Sequence, residues 1–355
     1  MTKLKEAAGE FLAGLTSTNP KAFLSALLVG IALLAALEVV LARGWIWRLD
    51  PGWLLSTPYD DWTHALWAVN QLDGESDATA IYLVGGSGSR EAVVSNESVE
   101  KALTAAGKEH YRFLNLGTRN QSFFESIILI DNLPDASSGL IIFALTPHFF
   151  TDDIDDARVA VQGVRFPLYS AALVKALNSV GLMVSGSRAL NVVRYRAKLA
   201  NYLSQRIAGH NLFERLPYKN HLYEGRPPLQ GAALEKHLSL IETEMKDYDR
   251  LAPLNFAMLE IAVNLAQSKG YRALLVDLPR NPAAEERLYG RVLDSYRRNM
   301  DIVVQSTGAR HVDLHDQCRF PASYFYDHLH QTDDARVVFQ DRFVDLILSQ
   351  LEAGR

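Results

Sequence analysis

A long apolar run near the N-terminus is the strongest hydrophobic feature of the chain. Residues 22–41 carry a single charge, Glu38, and a helix of this length, rising about 1.5 Å per residue, crosses a hydrocarbon core of about 30 Å. Trp45, Trp47 and Trp53 follow the run, as aromatic residues do at a membrane interface. Lysines before the run and arginines after it form a small asymmetry that favours a cytoplasmic N-terminus. The pattern predicts a single-pass membrane anchor.

A cleaved signal peptide is the alternative interpretation of this run. The run is longer than the apolar core of a typical signal peptide and lacks a clear small-x-small cleavage site before a polar stretch. We therefore expect residues 1–21 in the cytoplasm, residues 22–43 as a retained transmembrane anchor, and the rest of the chain exported. Glu38 either faces a membrane partner or extends toward Arg43 at the membrane exit, and the second interpretation is favoured.

Beyond a connector at 44–75, short apolar runs alternate with stretches of helical periodicity. This alternation is typical of βαβ units around a parallel sheet, and strands covered on both faces are apolar throughout. The prediction for residues 76–355 is an α/β domain with a flavodoxin-like, doubly wound, five-stranded parallel sheet. The predicted strands are 80–85, 111–116, 139–145, 272–278 and 310–314.

Helices are predicted between these strands, and glycines or a capping residue mark their ends. Gly270 and Gly308 each follow a helical stretch, and Thr332 suits an N-cap because two aspartates come next. The predicted helices are 97–106, 120–133, 253–268, 284–306 and a last helix after 332.

About 120 residues separate the third and fourth predicted strands, too many for a single crossover. This part, about 150–250, is predicted to be a helical insertion with helices near 166–208 and 231–247 and a Pro/Gly-rich loop at 214–230. The largely apolar stretch 169–184 is expected to pack on the core rather than to contact the membrane or a membrane partner.

The composition permits a sizeable core and excludes some classes of function. Apolar residues make up 48% of the chain and charged residues 22%, so global disorder is not expected. The net charge is −5 without a lysine/arginine block, so no nucleic-acid partner is expected. Cys318 is the only cysteine, which excludes an intrachain disulfide and a multi-cysteine metal site.

A serine follows the first predicted strand in a glycine-rich turn that reads Val-Gly-Gly-Ser-Gly-Ser-Arg-Glu over 84–91. Open α/β sheets bind ligands at the carboxyl ends of their strands, and glycines there let the backbone approach a substrate. Ser87 is therefore a candidate nucleophile. The alternatives are an ordinary turn, a helix N-cap serine and a phosphate-cradling loop, the last disfavoured because neither nucleotide-binding spacing is met.

An Asp-x-x-His motif, Asp327 to His330, precedes the last predicted helix. At this spacing the carboxylate can hold one imidazole nitrogen while the other faces a serine, which fixes the tautomer and stabilises the imidazolium. Metal binding by His328, His330 and nearby acids is the alternative, but no third histidine or cysteine accompanies them at metal spacing. No metal or cofactor is therefore predicted, and His328 is given no role.

Three blocks jointly resemble the SGNH (GDSL-type) hydrolase superfamily. They are Gly-Gly-Ser at 85–87, Asn-Leu-Gly at 115–117 and the Asp-x-x-His motif, and their order and strand-end positions match the family over roughly 76–350. The resemblance implies that Ser87 is the nucleophile, His330 the base and Asp327 its orienter. It also implies an oxyanion hole that includes the backbone N–H groups of Ser87 and Gly117.

One block departs from the family pattern. The family carries an asparagine after the third strand, where this chain has Thr146 and, two residues on, His148. Either Thr146, His148 or Asn120 substitutes as an oxyanion donor, or the hole is weaker, since loss of one donor costs about 2.7–4 kcal/mol of transition-state stabilisation.

The Gly-Gly-Ser-x-x-Arg-Glu form of the first block, the anchor and the insertion are similar to the membrane-anchored acyltransferase branch of the superfamily. That branch includes proteins of teichoic acid D-alanylation and alginate O-acetylation, which work beside membrane-bound O-acyltransferases. The resemblance implies such a partner, an envelope polysaccharide or polymer as acceptor, and a site on the periplasmic or extracellular side of the cytoplasmic membrane. A hydrolase with the same triad and an inactive polymer-binding subunit are the alternatives.

Overall fold

The structure is a computed structural model that describes residues 20–71, 79–136, 138–184, 190–209 and 214–353. Residues 1–19 of the predicted cytoplasmic segment lie outside the described residues. The end of the predicted connector and two short parts of the insertion also lie outside them.

Five parallel strands form the sheet, as predicted. They are β1 Thr79–Val84, β2 Tyr111–Asn115, β3 Gly139–Leu145, β4 Tyr271–Asp277 and β5 Arg310–Asp313. Their spatial order is β2-β1-β3-β4-β5, and every neighbouring pair is parallel. Because the order of strands reverses between β1 and β3, the ligand-binding crevice of such a sheet is expected at the carboxyl ends of these two strands.

The described residues also form helices. They are α1 Pro20–Ala42, α2 Pro51–Leu54, α3 Asp61–Val69, α4 Ser87–Arg90, α5 Asn96–Ala105, α6 Phe123–Asp131, α7 Ile154–Gln162, α8 Ala171–Ser179, α9 Asn191–Ala208, α10 Gly231–Met245, α11 Tyr248–Ser268, α12 Pro282–Tyr289, α13 Leu293–Thr307, α14 Leu314–Cys318 and α15 Asp333–Ala353. Short 3₁₀ turns lie at Trp45–Arg48, Pro147–Phe150 and Ala322–Tyr324.

Alternate side chains of the buried strands enter two apolar cores on opposite faces of the sheet. In β3, Phe143 belongs to the core that contains residues of α6, α11 and α13, whereas Ile142 belongs to the core that contains residues of α5 and α15. Every residue of β3 is buried, as its continuous apolar sequence predicts. The sheet is therefore covered by helices on both faces.

Helix α1 is long and apolar enough to cross a membrane. Large apolar side chains along it, among them Leu28, Ile31 and Leu33, are exposed, which distinguishes α1 from a buried core helix. The expected extension of Glu38 toward Arg43 is wrong. The Glu38 carboxylate instead accepts the backbone N–H groups of Asn191 at 3.0 Å and Val192 at 2.8 Å, because the first N–H groups of α9 have no acceptor within their own helix.

The insertion between β3 and β4 is helical, as predicted, and the loop at 214–230 contains no helix. Leu173 and Leu177 of α8 are buried, so the packing of this stretch on the core is confirmed. The single helix predicted at 284–306 is wrong, since α12 and α13 are separate helices. The chain turns between them, where the Val292 N–H donates to the Tyr289 carbonyl at 2.7 Å and both residues are buried.

Candidate active site

Ser87 lies in the turn that leaves β1 at the carboxyl edge of the sheet. Gly86 occupies the N-cap position of the short helix α4, so the interpretation of Ser87 as a helix N-cap is wrong. The Ser89 hydroxyl donates to the Gly86 carbonyl at 2.7 Å and holds the turn. Ser87 is half-buried and lines a cavity of about 380 Å³.

This cavity brings Ser87 together with two of the candidate oxyanion donors, Asn120 and His148. Asn120 adopts a left-handed backbone conformation, with φ 51°, at the end of the loop that follows β2. The rest of the lining is mostly polar and contains both acidic and basic side chains, those of Asp152, Asp153, Asp156, Arg165, Glu244, Asp247 and Arg250.

The Asp327 carboxylate and the His330 imidazole form a buried pair. His330 Nδ1 lies 2.8 Å from Asp327 Oδ2, and Asp327 Oδ1 accepts the backbone N–H groups of Leu329 and His330, each at 2.9 Å. Asn281, which follows β4, donates its side-chain amide to the Asp327 carbonyl at 2.8 Å. The loop after β5 is thereby fixed to the edge of the sheet.

Burial and charge act in opposite directions on this pair. Burial alone would raise the pKa of Asp327, but His330 and the backbone N–H groups hold that pKa well below its usual range. Burial alone would lower the pKa of His330, but the carboxylates of Asp327 and Glu91 raise it above its ordinary value. Asp327 is therefore ionised and favours a proton on His330, as a general base requires.

The turn of Ser87 and the loop of His330 pack against each other. A Cβ atom placed on Gly88 would lie 3.0 Å from Leu329 Cδ2, and these two residues are the chain neighbours of Ser87 and His330. His330 Nε2 is buried and has no hydrogen-bond partner among the described residues. The structure thus contains the Asp–His pair but no hydrogen bond between the serine and the histidine.

Gly117 lies directly behind the turn of Ser87. A Cβ atom there would collide with the Ser89 hydroxyl and lie 2.7 Å from the Arg90 amide nitrogen, so only glycine allows this close approach. The Gly117 N–H donates to the Asn115 side chain at 2.9 Å and therefore already has an acceptor. Its expected role as an oxyanion donor requires that this hydrogen bond opens.

The two candidate donors that follow β3, Thr146 and His148, differ in position. Thr146 is fully buried, and its hydroxyl has no partner in the described part of the chain. His148 lines the cavity, and its Nε2 lies 3.5 Å from a carboxylate oxygen of Glu244 on α10. Of these two, His148 is therefore the one that shares a cavity with Ser87.

No known protein family matches the chain, and no curated protein matches it in sequence.

The sequence gives no indication of two further groups that lie beside the site. His237 on α10 lies 2.8 Å from His328, measured from Nε2 to Nδ1. Asp61 on α3 lies 3.5 Å from the Arg90 guanidinium and accepts the Arg119 backbone N–H at 2.7 Å. His237 lies in a stretch that shows only helical periodicity, and Asp61 lies in the predicted connector, so no local signal connects either residue with the site.

Proposed function

We propose that this protein is a membrane-anchored serine O-acyltransferase of the SGNH type that acylates a cell-envelope polymer. The observation that supports the proposal most directly is the Asp327–His330 pair, in a loop packed against the turn of Ser87. An imidazole whose Nδ1 is held by a carboxylate and whose Nε2 is unpartnered has the arrangement of a general base beside a nucleophile.

In the proposed reaction the Ser87 hydroxyl attacks the carbonyl carbon of an activated acyl donor while its proton passes to His330 Nε2. The tetrahedral intermediate collapses to an acyl-serine, and His330 gives the proton to the leaving group. A hydroxyl of the acceptor then attacks the acyl-serine, His330 removes its proton, and Ser87 leaves with that proton. Catalytic hydrogen bonds often form only when substrate is bound, and the serine–histidine contact is expected to form at that stage.

The negative charge on the intermediate needs hydrogen-bond donors close to Ser87. We propose the backbone N–H of Ser87, that of Gly117, and a side chain from Asn120 or His148, which line the same cavity as the serine. The polar lining of that cavity suits a hydroxyl-rich acceptor such as a polysaccharide.

Helix α1 supports the cellular setting of the proposal. A single-pass anchor would hold the domain beside the membrane, on the periplasmic or extracellular side of the cytoplasmic membrane. There a membrane-bound O-acyltransferase, the partner implied by the sequence resemblance, would deliver the acyl group to Ser87.

A serine-directed fluorophosphonate probe tests the nucleophile in the detergent-solubilised full chain. The wild type is expected to form an adduct on Ser87, and Ser87→Ala is expected to form none. Ser204→Ala is the control, because this serine is exposed on α9 and donates its hydroxyl to a backbone carbonyl of its own helix. Equal labelling of wild type and Ser87→Ala would refute the proposed nucleophile.

The missing serine–histidine hydrogen bond favours a second candidate, a catalytically inactive subunit that only binds polymer. Complete absence of fluorophosphonate labelling, together with binding of an envelope glycan, would support that candidate. If Ser87 is labelled, the products formed from an acyl-ester substrate distinguish transfer from hydrolysis. Transfer predicts acylated glycan when a glycan acceptor is present, whereas a hydrolase releases the free acid at the same rate with or without it.

A further inference from the structure

Three potential metal ligands meet beside the Asp327–His330 pair. His237 Nε2 lies 2.8 Å from His328 Nδ1 and 3.7 Å from Asp327 Oδ2, and His328 Nδ1 lies 3.7 Å from Asp327 Oδ1. These ligand atoms all lie within 4.8 Å of one another. Two imidazoles and a carboxylate form a ligand set that suits zinc and neighbouring divalent metals.

The spacing of these atoms is close to one face of a tetrahedral site. Bonds of about 2.0–2.1 Å to a zinc ion separate neighbouring ligand atoms by about 3.4 Å. The two distances to Asp327 join different carboxylate oxygens and are slightly longer than this value, so one oxygen must move toward the ion. The distance between the imidazoles is shorter because a hydrogen bond now joins them. Binding of an ion would require the proton of that hydrogen bond to move to the other nitrogen of its own ring, and would separate the two ligand nitrogens by about half an ångström.

Two of the three ligands are buried, and the third is partly accessible to solvent. The side chains of Asp327 and His328 are 1% and 3% exposed, whereas that of His237 is 25% exposed, which gives an ion a path from solvent. His328 Nε2 is buried without a hydrogen-bond partner among the residues that the structure describes. His148, whose ring centroid lies 5.4 Å from that of His328, adds another imidazole to the surroundings.

We propose that His237, His328 and Asp327 form a binding site for a divalent ion of the zinc class, and that the bound ion inhibits acyl transfer. The inhibition rests on the proposed function, whereas binding of the ion does not. Asp327 Oδ2 lies within reach of both His237 and His330. An ion held by this oxygen would compete with the 2.8 Å hydrogen bond that keeps the His330 imidazole in position.

Binding is tested on the metal-free full chain in detergent with Co²⁺ as a spectroscopic probe and Zn²⁺ as a competitor. The wild type is expected to show the visible absorption of cobalt bound to nitrogen and oxygen ligands, which Zn²⁺ removes and Mg²⁺ or Ca²⁺ does not. His237→Gln and His328→Gln are each expected to weaken binding more than about 100-fold, since loss of an outer partner alone costs about 10–100-fold. His110→Gln, an exposed histidine before β2, is the control and should bind as the wild type does.

Inhibition is tested by the rate at which fluorophosphonate labels Ser87, with EDTA and with Zn²⁺. Zn²⁺ is expected to slow labelling at least about tenfold in the wild type and in His110→Gln, but not in His237→Gln, whose labelling with EDTA also shows that it folds. Absence of a cobalt spectrum would overturn the site, while labelling with EDTA would still test Ser87 independently. Tight binding of Zn²⁺ without any change in labelling would overturn the inhibition only.

Discussion

The carboxylate of Asp61 lies 3.5 Å from the guanidinium of Arg90, and both side chains are almost completely buried. This contact connects α3, in the segment after the anchor, with the turn that carries Ser87. Asp61→Asn leaves a buried guanidinium without its charge partner, and loss of one member of a buried ion pair costs about 3–5 kcal/mol. We expect a decrease of about that size in the free energy of unfolding, measured by urea denaturation in detergent.

Asp249→Asn is the matched control for this measurement, because the Asp249–Arg291 pair is exposed. Exposed ion pairs contribute about 0–1 kcal/mol. If both variants lose equally little stability, the buried pair does not hold the turn of Ser87 in place.

The structure contains two similar His–Asp pairs, but only the Asp327–His330 pair contains the proposed general base. Asp327→Asn is expected to slow fluorophosphonate labelling of Ser87 about 10⁴-fold, because the amide no longer selects the correct tautomer of His330. His311 also pairs with a carboxylate, that of Asp277 at 3.3 Å, and its ring is partly buried. His311→Gln should label at the wild-type rate, and an equal loss in both variants would point to a general effect on folding.

The close contact behind Ser87 predicts a strong effect of one methyl group. Gly117→Ala introduces a Cβ atom that collides with the Ser89 hydroxyl, and overpacking of this kind costs about 1–3 kcal/mol. We expect a lower midpoint of urea unfolding and slower labelling of Ser87, because the turn must move. Gly30→Ala, where the added Cβ atom meets nothing within 4 Å, should leave both measurements unchanged.

The strands could be predicted from the sequence because a strand that is buried on both faces is apolar along its whole length. The sequence of β3 is apolar at every position, and the structure buries every one of them. The Asp327–His330 pair could be predicted for a similar reason. The two residues are three apart, so a single turn of the chain decides their contact.

Contacts between distant polar residues could not be predicted in this way. His237 and His328 are 91 residues apart, and the periodicity of α10 gives no indication of what its polar face meets. The acceptor function of Glu38 for α9 is a contact across 153 residues that depends on where the insertion folds back. The break between α12 and α13, where Val292 is buried, likewise gives no signal in the helical periodicity of this stretch.

His64 is expected to make the free energy of unfolding depend on pH. Its ring stacks on Tyr218 with centroids 3.7 Å apart, and burial lowers the pKa of His64 to about 4. The unfolded chain binds the proton at its ordinary pKa of about 6.5, so the contribution to stability is complete above that value and is lost as the pH falls toward 4. The expected loss from His64 between about pH 7.5 and 5.5 is about 1 kcal/mol.

His64→Phe keeps an aromatic ring for the stack but removes the titrating group. Urea unfolding of both proteins at the two pH values isolates the contribution, because all other titrating groups are shared. The variant is expected to lose about 1 kcal/mol less than the wild type on acidification. Identical losses would show that His64 has the same pKa in the folded and in the unfolded chain.

Glu38 connects the apolar helix α1 with the insertion, and amide hydrogen exchange can test this connection. Its carboxylate accepts the N–H of Val192 at 2.8 Å, at the beginning of α9, where backbone N–H groups have no acceptor within the helix. Glu38→Ala removes this cap, and loss of roughly 1–2 kcal/mol should make exchange at the start of α9 about tenfold faster. Glu38→Gln keeps a side-chain oxygen, so its exchange rate should lie between those of the wild type and Glu38→Ala.

The start of α8 is an internal control, because Ser170 caps it independently of α1. Unchanged exchange at Val192 in Glu38→Ala would show that α9 is held by its packing alone and that the insertion has no energetic connection with α1.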